Sequence, residues 1–199
     1  IQTSVRQALQ RQTQALVNRY AREYSSNHIH NLAAIVADVE TGEVLAYAGN
    51  ATYPADERQG NQVDIITSPR STGSILKPFL YAGMLHDGLL LPSMLVSDVP
   101  LNINGFSPHN YNKTFYGAVP AHVAIERSLN VPLVRMLSQY NTGRFMSLLK
   151  SWGMTTLRFS EEHYGASLIL GGAEGTLWDL SGMYASMSRV LKHYRTYNG

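Results

Sequence analysis

Cysteine is absent from the 199-residue sequence, and its absence excludes several kinds of chemistry. The chain can form no disulfide bond, no thiolate metal site and no cysteine nucleophile. The missing cysteines do not identify a cellular compartment, because proteins of the bacterial periplasm lack cysteine as readily as cytosolic ones.

Long apolar runs and a strong net charge are also missing. The stretches Leu32 to Ala37 and Leu89 to Val96 are the longest apolar ones, and a membrane-spanning helix needs about 18 apolar residues. Residues 1–24 carry arginine throughout and lack the apolar centre of a secretory signal. A net charge of +2 gives no reason to expect binding to nucleic acid. We therefore expect no membrane span in this chain and no nucleic-acid partner.

The composition and the hydrophobic pattern predict a folded α+β domain. Apolar residues make up 44% of the chain and charged residues 15%, which is typical of a globular protein with a sizeable core. Residues 1–24 have the spacing of an amphipathic helix, and residues 31–48 read as a β-hairpin that turns at Glu40-Thr41-Gly42. Residues 49–73 form a long predicted loop, and a helix follows from Ser74 to His86.

The second half of the chain is predicted to be mostly helical. Residues 92–118 are rich in proline, asparagine and glycine and are predicted to be irregular, and residues 167–172 form a short apolar segment. Helices are predicted at residues 120–127, 132–140, 143–151 and 176–192. The predicted organisation is an N-terminal helix in residues 1–30, connecting to a region upstream, and one incomplete domain in residues 31–199.

The segment Gly73-Ser74-Ile75-Leu76-Lys77-Pro78 carries the first candidate site. A proline is tolerated only near the start of a helix, which predicts a helix beginning close to Ser74 and places this serine near the positive end of the helix dipole. Ser74 and Lys77 then share one helix face. A serine needs a base to become a nucleophile, and burial among Ile75, Leu76 and Phe79 would lower the pKa of Lys77 enough for that role. A helix cap followed by an exposed lysine explains the same spacing.

The segment Ser128-Leu129-Asn130 carries the second candidate site. Residues two apart cannot share a helix face, and Pro132 disfavours helix at Val131 and can open the next helix. Ser128 and Asn130 are therefore predicted on a loop between helices. There the hydroxyl could relay a proton and the amide could hold both a substrate carbonyl and the lysine. Asn130 could also be a plain helix cap.

Together the two segments resemble serine penicillin-recognising enzymes, whose motifs are S-x-x-K, S-x-N and K-T-G. Other stretches are similar to the transpeptidase domains of penicillin-binding proteins: Asp38 to Ala46, Ser107-Pro108-His109-Asn110-Tyr111 through Gly117, Ala124 to Pro132, and Leu170-Gly171-Gly172. The segment Arg70 to Phe79 resembles the class A branch and its 1C type. The resemblance covers most of residues 30–192 and implies an incomplete domain of the penicillin-binding-protein and serine β-lactamase fold.

The resemblance also implies a reaction, the synthesis of peptidoglycan cross-links by a D,D-transpeptidase. Ser74 would attack the penultimate D-alanine carbonyl of a stem peptide, Lys77 would act as the base and Ser128 would pass the proton to the leaving group. Asn130 would bind the substrate amide, and β-lactams would acylate Ser74. No cofactor or metal is implied. The implied location is periplasmic, with an inner-membrane anchor and a glycosyltransferase domain outside this chain.

The third family motif does not occur in this sequence. Lys77, Lys113, Lys150 and Lys192 are the lysines of the chain, and none begins Lys-Thr-Gly or Lys-Ser-Gly. In the family this motif lies on a later strand that supplies an oxyanion-hole amide, and losing one such donor lowers the rate by about 10²–10³-fold. We therefore expect the missing strands to follow this chain and the 199 residues to be inactive by themselves.

Other interpretations of these residues remain open. A serine β-lactamase of the same fold uses an additional glutamate for deacylation, and Glu161, Glu162 and Glu174 lie in the relevant half of the chain. A β-lactam sensor or a partner-binding scaffold would need no turnover. His28 and His30 lack acidic or cysteine partners at ligand spacing, so we expect no metal site there.

Overall fold

The computed structural model describes residues 2–52, 60–103 and 105–198. Helices and antiparallel two-stranded sheets together make up this part of the chain, so the predicted α+β class is confirmed. Residues 53–59, which belong to the loop predicted at 49–73, lie outside the described residues. None of the described helices combines the length and the apolar character needed to cross a bilayer.

The described chain begins with a helix and a hairpin and continues mostly with helices, as the sequence predicted. The α-helices are α1 (Gln7–Tyr24), α2 (Lys77–His86), α3 (Ala121–Glu126), α4 (Asn130–Tyr140), α5 (Thr142–Ser151), α6 (Glu161–Tyr164), α7 (Leu177–Lys192) and α8 (Tyr194–Asn198). The strands are β1 (Ala34–Ala37), β2 (Val44–Ala48), β3 (Arg70–Ser71), β4 (Leu95–Asp98), β5 (Gly117–Pro120) and β6 (Glu174–Gly175). Short 3₁₀ helices span Ser25–Asn27 and Gly165–Leu170.

The chain divides into two compact units, and the first consists of Ile1–Pro69 and Thr176–Gly199. Strands β1 and β2 pair there as the predicted hairpin, and Gly42 has the positive φ that its turn requires (74°). Helix α1 packs against β2. The side-chain amide of Gln10 forms two hydrogen bonds with the backbone of Tyr47, donating to its carbonyl oxygen at 2.9 Å and accepting from its N–H at 2.7 Å. Backbone groups of β2 that β1 does not bond are thereby satisfied.

The second unit, Arg70–Gly175, contains all four candidate site residues. Helix α4 lies at its centre and is apolar on nearly all sides. Its buried residues are Val131, Pro132, Leu133, Val134, Met136, Leu137 and Tyr140. Helices α2 and α5 pack against α4. At their ends, the hydroxyl of Tyr140 donates to Asp87 at 2.5 Å and Arg144 forms an ion pair with the same carboxylate at 2.8 Å.

Residues 92–118, predicted to be irregular, contain a strand and the start of another. Strand β4 pairs with β5 from Leu95↔Pro120 to Asp98↔Gly117, so proline, asparagine and glycine mark only the long connection between them. The residues of β4 alternate between exposed and buried, the period-2 pattern of a half-buried strand. The last of them, Asp98, is fully buried and contributes to the site described next.

Candidate active site

Ser74 lies in a tight turn directly before α2. The carbonyl oxygen of Ser74 accepts a hydrogen bond from the amide of Lys77 at 3.1 Å, and the amide of Ile75 donates to Thr72 at 3.0 Å. These bonds span three residues, whereas the four-residue bonds of an α-helix begin with Leu80 and Leu76. The helix therefore begins at Lys77, and the predicted start at Ser74 is wrong by three residues. Ser74 is exposed.

A second segment of the same unit holds this turn in place. The amide and the hydroxyl of Thr72 both donate to the carbonyl oxygen of Ala173, at 3.0 and 3.1 Å, and the hydroxyl of Ser71 donates to Gly171 at 2.8 Å. A Cβ atom on Gly171 would lie 2.9 Å from the Cα and N atoms of Gly73. Only glycine permits this close approach, and Gly73 has a φ of 52°, which is outside the range of a right-handed α-helix.

Lys77, the first residue of α2, is buried and fully hydrogen-bonded. Its side chain is 1% exposed, and its Nζ donates to the Ser128 carbonyl oxygen at 2.8 Å, to Asn130 Oδ1 at 2.7 Å and to Ser128 Oγ at 3.2 Å. Three acceptors match the three protons of an ammonium group. Leu76 and Phe79 are buried beside it, as predicted, but Ile75 is 39% exposed, so the prediction that Ile75 helps to bury the lysine is wrong.

Burial changes the acidity of this lysine. Removal of the ammonium from water lowers the pKa of Lys77 from 10.5 to about 8. At pH 7 roughly a tenth of the side chain is then neutral, compared with less than about 0.1% for a lysine in water. Lys77 can therefore accept a proton near neutral pH, which an exposed lysine cannot do at a useful population.

Ser128 occupies a strained backbone position at the end of α3. Its amide donates to Ile125 at 3.0 Å, and the amide of Leu129 donates to Ala124 at 2.9 Å. This pair of bonds defines a Schellman motif, in which glycine is the usual residue at the position of Ser128. Ser128 has a φ of 50°, a conformation that is unfavourable for a residue with a Cβ atom. In this conformation both its carbonyl oxygen and its hydroxyl accept hydrogen bonds from Lys77.

Asn130 is the first residue of α4, although the sequence predicted it on a loop. Val131 is helical despite the proline that follows it, and Pro132 is tolerated because amides in the first turn have no partner within the helix. Asn130 Oδ1 accepts from Lys77, and its Nδ2 donates to the carbonyl oxygen of His109 at 2.8 Å. These contacts distinguish the oxygen from the nitrogen of the Asn130 side-chain amide, because one atom must accept and the other must donate.

Asn110 and Asp98, which the sequence did not single out as site residues, hold the backbone of Asn130 in place through hydrogen bonds. Asn110 Oδ1 accepts from the amides of Asn130 at 2.8 Å and Val131 at 3.3 Å, and Asn110 Nδ2 donates to both oxygens of Asp98 at 2.8 and 2.9 Å. Asn110 is 3% exposed and Asp98 is fully buried. Asn110 lies in the segment Ser107 to Gly117, which resembles the transpeptidase domains of penicillin-binding proteins, but no sequence signal linked it to Asp98.

The structure thus brings Lys77 together with Ser128 and Asn130, which lie 51 and 53 residues after it in the sequence. The hydroxyl of Ser74 lies one turn before the lysine and has no hydrogen-bond partner among the described residues. Ser74 is also exposed to solvent.

The remaining candidates are three glutamates and two histidines. Glu161, Glu162 and Glu174 are exposed, and within the described part of the chain none of them forms a hydrogen bond with the cluster. The rings of His28 and His30 meet edge to face with centroids 6.4 Å apart. Among residues 2–52, 60–103 and 105–198, no three His, Cys, Asp or Glu side chains are grouped so that they could hold a metal ion.

Comparison with known protein families and sequences finds similarity over most of the chain. The family described as Penicillin binding protein transpeptidase domain matches residues 32–176. Penicillin-binding protein 1C of Escherichia coli K12 is 34% identical over 189 residues, 95% of this chain and 24% of that protein. Penicillin-binding protein 1B of Vibrio cholerae is 26% identical over 166 residues, 80% of this chain and 20% of that protein. The chain thus spans about a fifth to a quarter of the length of these relatives.

Solved structures share the fold at lower identity. The penicillin-binding protein PonA1 from Mycobacterium tuberculosis superimposes with a TM-score of 0.76 at 21% identity, over 94% of this chain and 50% of that one. The same protein in complex with penicillin V gives 0.70 at 19% identity, with the same coverage. A peptidoglycan glycosyltransferase from Burkholderia ambifaria gives 0.79 at 21% identity, over 94% of this chain and 61% of that one. These similarities agree with the resemblance inferred from the sequence motifs.

Proposed function

The chain belongs to the penicillin-binding protein transpeptidase family, and from this premise we propose that it carries the acylation centre of a peptidoglycan D,D-transpeptidase. The observation that carries the proposal is the buried Lys77, whose pKa is lowered to about 8 and whose Nζ contacts both Ser128 and Asn130. A buried lysine that contacts a hydroxyl which can both donate and accept is suited to proton transfer near neutral pH.

In the proposed acylation the Ser74 oxygen attacks the penultimate D-alanine carbonyl carbon of a stem peptide. A C–O bond forms, the serine proton passes to Lys77, and the collapse of the tetrahedral intermediate breaks the C–N bond to the terminal D-alanine. The released amine takes up one proton, so the charge balances. An amino group of a neighbouring stem peptide then attacks the acyl carbonyl carbon and loses a proton to Lys77, the C–O bond to Ser74 breaks, and the Ser74 oxygen takes that proton back. A β-lactam enters the same first step, and its opened ring stays attached.

The contacts of Lys77 support a route for that proton. A neutral amine has two N–H donors, and two of its three acceptors, the Ser128 carbonyl oxygen and Asn130 Oδ1, can only accept. The third contact is the hydroxyl of Ser128 at 3.2 Å, which can also donate. When Lys77 is neutral, this hydroxyl can therefore reverse its hydrogen bond, and it can carry a proton between Lys77 and the leaving amine.

Asn130 has a second proposed role, in holding the substrate. With Oδ1 bonded to Lys77 and Nδ2 bonded to His109, the amide is fixed before a ligand arrives. Nδ2 has a second proton, which can donate to a carbonyl oxygen of the stem peptide. Such preorganisation favours the reacting geometry without a further loss of side-chain entropy.

The missing Lys-Thr-Gly motif leads to a proposal about residues 1–199 alone. Without the oxyanion-hole donor and the carboxylate-binding group of that motif, we expect acylation to be about 10²–10³-fold slower than in a protein that supplies them. The proposed partners are stem peptides, β-lactams and the glycosyltransferase and C-terminal parts expected in a full-length protein. The proposed location is the periplasm, with an anchor in the inner membrane.

Intact-mass spectrometry after treatment with a β-lactam tests this function. In the full-length protein, we expect one covalent adduct that peptide mapping places on Ser74, and no adduct in the Ser74→Ala variant. Labelling at another residue, or labelling that survives in Ser74→Ala, would refute the proposal. The exposed Ser151 in α5 provides a control, since Ser151→Ala should label like the unsubstituted protein.

The lifetime of the adduct separates the alternatives. A transpeptidase should hold the opened β-lactam for many minutes, whereas a β-lactamase should release it within seconds. The exposed positions of Glu161, Glu162 and Glu174 favour the long-lived adduct, because none is hydrogen-bonded to the cluster within the described residues. An adduct that persists while cross-linking is absent would favour a sensor.

A further inference from the structure

Helix α4 begins without a capping side chain of its own. The residue before it, Leu129, has extended backbone geometry and offers no side-chain acceptor. The role of the cap falls instead to Asn110, 20 residues earlier in the chain, whose Oδ1 accepts from the first two amides of the helix, those of Asn130 and Val131. These amides have no partner within the helix, so the position of Asn110 determines where the helix starts.

Asn110 is itself held by a buried carboxylate. Its Nδ2 donates to both oxygens of Asp98, at 2.8 and 2.9 Å, and to the carbonyl oxygen of Thr114 at 2.9 Å. Asp98 Oδ2 also accepts from the amide of Tyr116 at 3.0 Å. Burial of a carboxylate is unfavourable unless hydrogen bonds compensate it. Here they do, and because Asp98 ends β4, the sheet determines the orientation of the Asn110 amide.

The segment that contains Asn110 also holds the side chain of Asn130. The carbonyl oxygen of His109 accepts from Asn130 Nδ2 at 2.8 Å, while the neighbouring Asn110 accepts from the backbone amide of the same residue at 2.8 Å. Two adjacent residues thus constrain the main chain and the amide group of Asn130. With both constrained, Oδ1 of Asn130 has one direction left, which is toward Lys77 at 2.7 Å.

We propose that Asp98 and Asn110 are positioning residues for the acylation centre, and that they act through Asn130 on Lys77. The inference rests on the proposed function, since it assigns these two residues to the same site. Neither residue contacts the Lys77 amine in the described structure, and neither is expected to touch substrate. Their effect is to place the acceptor of Asn130 where Lys77 needs it.

A second helix of the same unit provides a matched control. Helix α5 is capped by Asn141, whose side chain accepts from the amide of Arg144 at 3.0 Å. Helix α5 carries none of the four site residues. Because Asn141 also has a φ of 79°, the change Asn141→Ala removes a helix cap and adds backbone strain in the same unit, but it leaves the donors of Asp98 in place.

The experiment compares Asn110→Ala with Asn141→Ala in the full-length protein, using penicillin V as the acylating probe. The acylation rate constant at Ser74 is measured by mass spectrometry, and the melting temperature is measured in parallel. For Asn110→Ala we expect acylation to be about 10- to 100-fold slower, the range for a displaced catalytic group. For Asn141→Ala we expect a lower melting temperature with acylation within about twofold of the unsubstituted rate, and both rates are measured well below the melting temperature of Asn110→Ala, which loses more stability because Asp98 is left without its donors. Equal acylation rates in the two variants would overturn the proposal.

A rescue variant tests the link between the two residues. Asn110→Asp keeps an acceptor for the helix amides but places two carboxylates against each other in a buried site. The exchanged pair Asp98→Asn with Asn110→Asp restores an amide donor facing a carboxylate. We expect acylation to fall steeply in Asn110→Asp and to recover by about tenfold or more in the exchanged pair. An exchanged pair that acylates no faster than Asn110→Asp contradicts the proposed link.

Hydrogen exchange distinguishes failure of this inference from failure of the proposed function. In Asn110→Ala the amides of Asn130 and Val131 should exchange about 2- to 30-fold faster, the range expected for the loss of a helix cap. If the unsubstituted protein is not acylated at Ser74, the proposed function fails whatever the exchange rates are. If the protein is acylated and both amides exchange at unchanged rates in Asn110→Ala, the positioning role fails alone.

Discussion

Replacing Ser128 by glycine and by alanine should distinguish the effect of its backbone strain on stability from the effect of its hydroxyl on the acylation rate. Ser128 stands at the Schellman position of α3 with a φ of 50°, where a Cβ atom is unfavourable and glycine is the usual residue. Its hydroxyl is one of the three acceptors of Lys77. The variants Ser128→Gly and Ser128→Ala both remove this hydroxyl, but only glycine removes the backbone strain.

The expected magnitude comes from comparing the two variants. A non-glycine residue in the left-handed region is destabilised by about 1–2 kcal/mol, and the larger unfolded-state entropy of glycine offsets about 0.5–1 kcal/mol of the gain. Ser128→Gly should therefore be more stable than Ser128→Ala by about 1 kcal/mol, which corresponds to a melting temperature about 2–4 °C higher. Both variants lose the proposed proton shuttle, so acylation at Ser74 should fall by about 10²–10⁴-fold.

The assay combines thermal denaturation with the rate of β-lactam acylation. His28 is a control for the backbone effect, because it is exposed and has a φ of 59°. His28→Gly should likewise be more stable than His28→Ala, with acylation unchanged in both. The reasoning about Ser128 is refuted if Ser128→Gly acylates at the unsubstituted rate, or if Ser128→Ala is the more stable of the two variants.

Three further predictions follow from individual side chains. Because burial lowers the pKa of Lys77 to about 8, its neutral, proton-accepting form grows as the pH rises. Acylation should therefore increase about fivefold between pH 7 and pH 8 and level off above about pH 9, and a rate independent of pH over this range would rule out Lys77 as the base. Gly171→Ala should slow acylation, because its Cβ would lie 2.9 Å from the backbone of Gly73. Gly153 has a similar positive φ (110°), but a Cβ there would have no atom within 4 Å, so Gly153→Ala shows the effect of backbone strain alone on the acylation rate. Equal acylation rates in Gly171→Ala and Gly153→Ala would contradict the positional role of Gly171. Gly83→Ala should destabilise the protein by about 1–3 kcal/mol, since its Cβ would lie 2.6 Å from Leu148 Cδ2. As a control, the Cβ of Gly182→Ala in α7 meets no atom within 4 Å, so this variant should stabilise the helix by up to about 1 kcal/mol in thermal denaturation. A Gly83→Ala variant as stable as the unsubstituted protein would contradict the predicted clash with Leu148.

Local patterns in the sequence predicted much of the secondary structure. The hairpin of β1 and β2 was predicted from its apolar runs and from the turn at Gly42, because turn geometry depends on a few adjacent residues. Helices α5 and α7 begin and end within two residues of their predicted bounds. The start of α2 was predicted three residues early, because the turn at Ser74 is held by Thr72 and Ala173, which are 101 residues apart.

The sequence by itself identified the four residues of the proposed acylation centre. The spacing of Ser74 and Lys77, and of Ser128 and Asn130, was visible because each pair lies within one short segment. Only the tertiary structure decided how the two segments meet, since the contacts of Lys77 with Ser128 and Asn130 join residues 51 and 53 apart. It also revealed Asp98 and Asn110, because a buried acid ending a strand and a distant cap of α4 leave no periodic signal. The apolar neighbours Leu76 and Phe79 allowed the lowered pKa of Lys77 to be predicted, whereas the acceptors of its buried amine come from another segment and appear only once the chain has folded.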